Sequence, residues 1–460
     1  RRNIVLESSR AFACTFVSVN LLGNESGRLI YDGGCIVAAG GKLLCESKRF
    51  SFHDYLISYT DIDLSPLRVI RSRTYSFNNQ SVMFLQAGMI HAQEAEEKNA
   101  HIGFDQEHAE RKNDNKNHKE KINTYIANPL TKEEEFLGAL TLGLFDYMRK
   151  SKSKGFVISL SGGADSALCA LLVERMIRYA KEELGEHAFS KLGISNSVTI
   201  LYTVYQKSKY STSITMNAAN AVAVALKENT NGRHFETDVS DIIELYTQKT
   251  KSILATDFTQ EGFDLTLQNI QARSRSPLAW MIANATGCLL LTTSNRSEAA
   301  VGYCTMDGDT SGGLAPVAGI DKNYIRYFLR FMETSGDRFG KIEALRFINE
   351  QEPTAELKNN QTDERDLMPY SLLDEIEKLA IRDRMSPVEV FQILKEKYDS
   401  PELKKSIARF YRLWYINQWK RERYAPSFHL DDENLDPKTW FRFPILSGGY
   451  EEELEELIRL

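Results

Sequence analysis

Paired cysteines are missing from this chain. Its six cysteines (Cys14, Cys35, Cys45, Cys169, Cys288 and Cys304) show no C-x-x-C spacing, which argues against a zinc site. Several lie in apolar runs, where a free thiol packs as a small hydrophobe. Such usage fits a reducing compartment. No apolar run approaches the roughly 20 residues of a membrane span, and no charged-then-apolar leader opens the sequence. The expectation is a cytoplasmic chain with no membrane partner. An excess of positive charge is also missing: 57 Lys and Arg against 63 Asp and Glu leave a net charge of −6, which argues against nucleic acid as the main partner while leaving room for a local basic patch. No internal repeat is visible. The first residues are Arg1 and Arg2 rather than methionine, which reads as a processed or partial product.

What is present is ordinary globular material. With 460 residues, 42% of them hydrophobic and 26% charged, two or three domains with ample core are expected. Residues 1 to about 100 carry short β-rich runs such as Ala13–Val19, Leu29–Tyr31 and Cys35–Val37, separated by glycine turns. Between about 93 and 122 the sequence turns polar and charged, as in a linker or surface loop. Beyond it, apolar strands (156–160, 198–204, 288–293) alternate with helical stretches (133–150, 166–182, 213–227, 267–285). That alternation predicts an α/β fold, a doubly wound parallel sheet with flanking helices. Ligands in such folds sit beyond the carboxyl ends of the strands.

The first predicted strand of that region, Phe156–Leu160, runs directly into Ser161-Gly162-Gly163-Ala164-Asp165-Ser166 and then a helix. Two glycines let the backbone approach an anion, the serines add donors, and the helix start directs free N–H groups at the same point. The lysine-ended Walker pattern is absent, so backbone amides, Ser161 and Ser166 would grip the phosphates. Asp165 is then a candidate Mg²⁺ ligand. The strand 288–293 ends in Ser294-Asn295-Arg296-Ser297-Glu298, and Glu298 is a candidate second carboxylate for that ion. A helix-start acid favoured by the dipole is the alternative for Glu298.

Other polar clusters follow. Residues 302–313, rich in glycine and short polar side chains, suit a loop that closes on substrate. Asn269 and Arg273 stand four apart on one predicted helix, either to meet one anionic ligand together or to make ordinary helix salt bridges. The cluster Trp419-Lys420-Arg421-Glu422-Arg423 meets phosphates or is an exposed charged helix face, and Glu451–Glu456 reads as a solvated helix face.

Taken together, these segments resemble a known family. The S-G-G-x-D-S turn resembles that of the ATP pyrophosphatases. Within that group, Ser161–Ser166, Gln271-Ala272-Arg273, Thr293 with Glu298, Asp307-Gly308-Asp309, Lys322, Pro353–Leu357, Gln361–Glu364 and Lys420-Arg421 resemble the NAD synthetases over some 300 residues. Gly23–Gly34 is similar to the last third of the nitrilase-like glutaminase domain of the glutamine-dependent members. The resemblance implies two domains: 1–122, the C-terminal part of an incomplete nitrilase-like α/β sandwich plus a charged linker, and 123–460, the synthetase domain.

It also implies roles. ATP would meet Ser161, Gly162, Gly163, Asp165, Ser166, Thr293, Lys322 and Thr354; deamido-NAD would meet Asn269, Arg273, Glu298, Tyr303, Asp309 and Lys420. Asp165, Glu298 and Lys322 would be catalytic, with Mg²⁺ on the two carboxylates. The substrates implied are ATP, deamido-NAD and ammonia or glutamine, and the assembly a dimer or larger homo-oligomer. The family's glutaminase uses a Glu-Lys-Cys triad upstream of the part matched here. No nucleophile is therefore assigned: Cys45-Glu46 lies outside the catalytic stretch, and Cys14 reads as a core thiol in a strand. The chain as given is expected to use ammonia and not to hydrolyse glutamine itself. Rival readings are another ATP pyrophosphatase, such as a tRNA-modifying enzyme or a different amidotransferase, or a non-catalytic nucleotide-binding partner.

Overall fold

Apolar residues alternate or run continuously according to how many faces of each strand are covered, and the computed structural model shows both patterns. It describes residues 1–25, 27–73, 125–256, 263–351, 357 and 363–460. The chain folds as two compact units. One holds residues 1–21, 33–49 and 55–129, the other 22–32, 50–54 and 130–460.

The smaller unit is a four-stranded sheet in the order β1-β4-β5-β6 (β1 Thr15–Val19, β4 Cys35–Ala39, β5 Lys42–Glu46, β6 Tyr125–Ile126). The pairs β1·β4 and β4·β5 are antiparallel, and β6 joins β5 in parallel. Helix α1 (Arg2–Ala11) places Val5 against Ile36 and Ala38; helix α2 spans Ser65–Arg73. The run expected to begin a strand at Ala13 begins it at Thr15, because Ala13 takes φ +42° and turns the chain. Cys14 therefore precedes the strand and is half-buried, a correction to its reading as a core thiol. The charged stretch expected near 93–122 lies outside the described residues.

The larger unit begins, in sequence, with the hairpin β2 (Leu22–Glu25) and β3 (Leu29–Asp32). Helix α3 (Lys132–Ser151) starts with a capping box in which Thr131 and Glu134 satisfy each other's backbone N–H. Strands β7 (Phe156–Ser159), β8 (Leu201–Lys207), β9 (Arg233–Asp238) and β10 (Leu289–Leu291) form an all-parallel sheet in the order β10-β7-β8-β9. Alternate residues of β7 face opposite ways. Phe156 and Ile158 join the core made by α3, α4 (Ala164–Leu184), α5 (Ser213–Thr230) and later helices, while Val157 packs with Leu290, Ala279 and Ala283. Helix α6 (Ser240–Leu254) and α7 (Asp264–Thr286) follow β9, and α7 supplies the last two of those residues. Both faces are covered, so the sheet is doubly wound as expected.

The connections run outward from β7 to β8 to β9 and then return to place β10 on the other side of β7. The carboxyl ends of β7 and β10 therefore flank a reversal of strand order, where a crevice opens. A second core, built from α8 (Arg296–Val301), α10 (Tyr370–Glu377), α11 (Pro387–Leu394), α12 (Ser400–Ile416) and the C-terminal Glu451–Arg459 helix, packs around Trp414 and Tyr411. Between α8 and α10 runs α9 (Lys322–Thr334). The acidic C-terminal run is amphipathic: Leu454 and Leu457 are buried while the glutamates around them are mostly exposed. Among the described residues no helix is long and apolar enough to cross a membrane.

Candidate functional site

Strand β7 ends at Ser159 and α4 begins at Ala164, so four residues make the turn between them. Gly162 takes φ +83°, and a Cβ there would lie 2.2 Å from the carbonyl oxygen of Thr215 in the first turn of α5. Only glycine fits both demands. The turn is braced from within: Gly163 N–H donates to Ser161 Oγ at 3.3 Å, Ser166 Oγ donates to the Gly163 carbonyl at 3.1 Å, and the two serine oxygens lie 3.2 Å apart. Ser166 is buried under the turn and is not among the residues lining the cavity above it. That cavity, of about 600 Å³, is lined by Ser161, Gly162, Gly163 and Asp165 together with Asn269, Arg273, Thr293, Glu298, Tyr303, Asp309, Lys322 and Lys420. Thr354 lies outside the described residues.

Across the switch point, Asn295 caps α8 by accepting the Glu298 N–H at 2.9 Å, and its amide donates to Asp165 Oδ1 at 3.2 Å. One side chain thus ties the start of α8 to the first turn of α4. Lys322 reaches in from the start of α9: its Nζ donates to Asp165 Oδ2 at 2.5 Å and to Glu298 Oε1 at 3.0 Å. The three side chains are 6, 14 and 16% exposed, respectively. Burial pushes the Asp165 carboxyl up to about 6, against the pull of the Lys322 ammonium and with a further push from Glu298. Mg²⁺ takes one or two carboxylates and completes its shell with phosphate oxygens and water. The two carboxylates beside the turn are donors of the type that ion takes, and among the described residues no group of three or more His, Cys, Asp or Glu is placed to hold a metal ion.

The 302–313 segment forms no regular element beyond turns, as expected, but it is pinned from several sides. Arg273 Nε donates to the Met306 carbonyl at 2.9 Å, and Thr305 Oγ1 donates to Asn269 Oδ1 at 3.0 Å. Lys420 Nζ donates to the carbonyls of Gly302 and Cys304 at 2.7 and 2.9 Å. Arg421 is buried and donates to the Ala300 carbonyl at 2.7 Å, and Arg423 pairs with Asp307 at 3.0 Å. The cluster is thus mixed: Trp419 and Arg423 are exposed, Arg421 is buried, and Lys420 lines the cavity while holding loop backbone. Likewise Asn269 and Arg273 share a face but address the loop rather than a salt bridge. Asp309, open to the cavity, accepts the Thr305 N–H at 2.8 Å; its recessed surroundings raise its carboxyl above the ordinary range, and that hydrogen bond opposes the rise.

Three contributors were not singled out from the sequence. Asn295 carried a signal, an N-cap residue three before a glutamate. Arg275, whose Nε donates to the Gln206 carbonyl at 3.2 Å on the cavity wall, lay next to residues that were singled out. Tyr370, whose hydroxyl donates to Glu298 Oε1 at 3.3 Å, is seventy-two residues away in sequence and had no local signal.

The family model described as NAD synthase matches residues 136–423. A crystal structure of a glutamine-dependent NAD(+) synthetase from Cytophaga hutchinsonii superposes with a TM-score of 0.73 at 38% identity, covering 99% of this chain and 67% of that one. Glutamine-dependent NAD(+) synthetases from Thermotoga maritima (30% identical, 93% of this chain, 63% of the relative) and Homo sapiens (26%, 91% and 62%) are similar across the sequence. The chain spans about two thirds or less of the length of these curated relatives.

Proposed function

Since the chain belongs to the NAD synthase family, we propose that it catalyses ATP-dependent amidation of deamido-NAD to NAD. The observation that carries this reading is Lys322 bridging Asp165 and Glu298 at the switch point, beside the Ser161–Ser166 turn. A carboxylate does not accept ammonia directly, because oxide or hydroxide would have to leave. In the proposed sequence, an oxygen of the nicotinate carboxylate attacks the α-phosphorus of ATP and the bond to pyrophosphate breaks. Ammonia then attacks the acyl carbon, the C–N bond forms, the bond to AMP breaks, and the nitrogen sheds its extra proton.

The chain's own groups act by position and charge. The Ser161–Ser166 turn and the start of α4 hold the departing pyrophosphate, and Lys322 stabilises charge on the phosphates with Thr293 alongside. Asp165 and Glu298 would hold Mg²⁺, which when bound compensates phosphate charge. Asn269, Arg273, Tyr303, Asp309 and Lys420 surround the dinucleotide, directly or by shaping the 302–313 loop, and the loop shields the adenylate from water. Residues 123–460 are read as the synthetase domain and 1–122 as glutaminase-derived. Ammonia is the nitrogen source at this site, and no cysteine of the 460 residues is assigned as a glutaminase nucleophile. A homo-oligomer acting in the cytoplasm completes the reading.

The test is NAD and AMP formation from deamido-NAD, ATP and Mg²⁺ with ammonium or glutamine supplied in parallel. Turnover with ammonium alone is the expected result. Turnover with glutamine would overturn the ammonia-only assignment, and none with either would overturn the reaction.

A further inference from the structure

Two residues of the site are adjacent in sequence to residues that share a single partner. Glu298 follows Ser297 on α8, and Lys322 precedes Asn323 on α9. Ser297 Oγ donates to Asp374 Oδ1 at 2.5 Å, and Asn323 Nδ2 donates to Asp374 Oδ2 at 2.5 Å. Ser297 Oγ also accepts the Lys322 backbone N–H at 2.9 Å, which closes a ring of contacts from α10 through α8 to the first residue of α9. One turn earlier on α10, the Tyr370 hydroxyl meets Glu298 and its ring lies 5.6 Å from Lys322 Nζ. We propose that Asp374 is a positioning residue, a two-oxygen clamp that fixes the starts of α8 and α9 relative to each other and so sets the Lys322–Glu298 distance.

The chemistry of the partners supports a role beyond filling space. A carboxylate offers two acceptor oxygens in a fixed plane, and here each is spent on a different helix that carries a functional side chain. Neither Ser297 nor Asn323 lines the cavity, and Asp374 does not line it either, so none of the three meets substrate from this arrangement. Neighbouring charge is arranged around the clamp rather than in it: the buried Arg296 guanidinium pairs with Glu377, Asp431, Glu433 and Asp321 at 2.8 to 3.2 Å. An asparagine at 374 keeps the volume and both contacts if the Asn323 amide turns over, since the new amide offers one acceptor and one donor. Alanine keeps neither.

This inference rests on the proposed amidation for its kinetic arm only. In the full chain, Asp374→Ala is expected to lower the turnover number for AMP formation at least tenfold, with the KM for ATP changed less than threefold. Asp374→Asn should stay within threefold of the parent in both. Alanine within twofold of the parent, or asparagine as impaired as alanine, overturns the clamp. The second arm is independent of activity: a crystal structure of Asp374→Ala should show Lys322 Nζ beyond about 4 Å from Glu298, with the Asp374→Asn structure unchanged. An intact pair in the alanine structure overturns the proposal even if the parent protein turns out to make no NAD, which would instead overturn the amidation reading. If the alanine variant does not fold, Ser297→Ala and Asn323→Ala take its place in both arms.

Discussion

Lys322 is a buried ammonium shared by two carboxylates, and its removal leaves Asp165 and Glu298 facing each other. Truncating one partner of a buried ion pair costs about 3–5 kcal/mol where burial is complete. These groups retain 14 and 16% exposure, so about 2–3 kcal/mol is the expectation for Lys322→Met after that discount. The checks are thermal unfolding and AMP formation, which should fall at least a hundredfold. A different residue adds a pH dependence of its own. Burial, reinforced by Asp321, pushes the Asp374 carboxyl up to about 7, with Ser297, Arg296 and Asn323 pulling it back and Glu377 nearby as another buried acid. The folded chain thus holds this proton more tightly than the unfolded chain. The stability so gained is present below the ordinary carboxylate range and is lost as pH rises toward 7. Melting curves should show the parent losing stability relative to Asp374→Asn between about pH 4 and 7. Single residues were the most legible part of the site where a local pattern marked them, as with Gly162 and Asp165. The bridge itself was not legible, because Lys322 lies 157 positions from Asp165 and only the folded chain brings them together.

At the level of elements, the strand-to-helix turn and the pinned loop make opposite demands on their residues. The turn tolerates no side chain at 162. Gly162→Ala must displace the Thr215 carbonyl and adopt an unfavourable φ, at a cost of roughly 1–3 kcal/mol, and calorimetry should show ATP affinity falling at least tenfold. The loop is held by pins of unequal strength. Arg423 and Asp307 are 58 and 61% exposed, so Arg423→Ala should leave the melting temperature nearly unchanged. Lys420→Met releases two loop carbonyls, and the expected signature is AMP formed in excess of NAD as water reaches the adenylate. An AMP to NAD ratio of one in that variant would show that the pin does not control access. Long apolar periodicities made α3, α4, α5 and α7 readable to within a few residues. Strand β9 was missed because Arg233-His234-Phe235-Glu236-Thr237-Asp238 is an edge strand with no buried residue, and therefore has no apolar run to betray it.

Over the whole molecule, the division of labour does not follow the order of the chain. The hairpin β2–β3 sits among the first 32 residues yet belongs to the larger unit, where Leu22 and Ile30 pack against its main core. Asp146 on α3 accepts the Asn24 N–H at 2.9 Å, and a Cβ at Gly143 would fall 2.6 Å from Ile30. Ile30→Ala should therefore destabilise the larger unit by about 1–3 kcal/mol, read as a lower melting temperature with the early sheet's amide exchange unchanged. The parallel sheet and its helices were foreseeable from alternating runs, whereas this return of an early hairpin was not, since nothing local in Leu22–Asp32 says which core it joins.

That hairpin also limits how the protein can be recombined. A chimera joined anywhere between residues 33 and 129 would pair one parent's hairpin with the other parent's α3, and the glycine at 143 would have to suit a foreign side chain in place of Ile30. Domain exchange here is thus a matter of matching an inserted finger to its socket, and a gene fusion that respects only the linear order would inherit a mismatched joint inside the core of the larger unit.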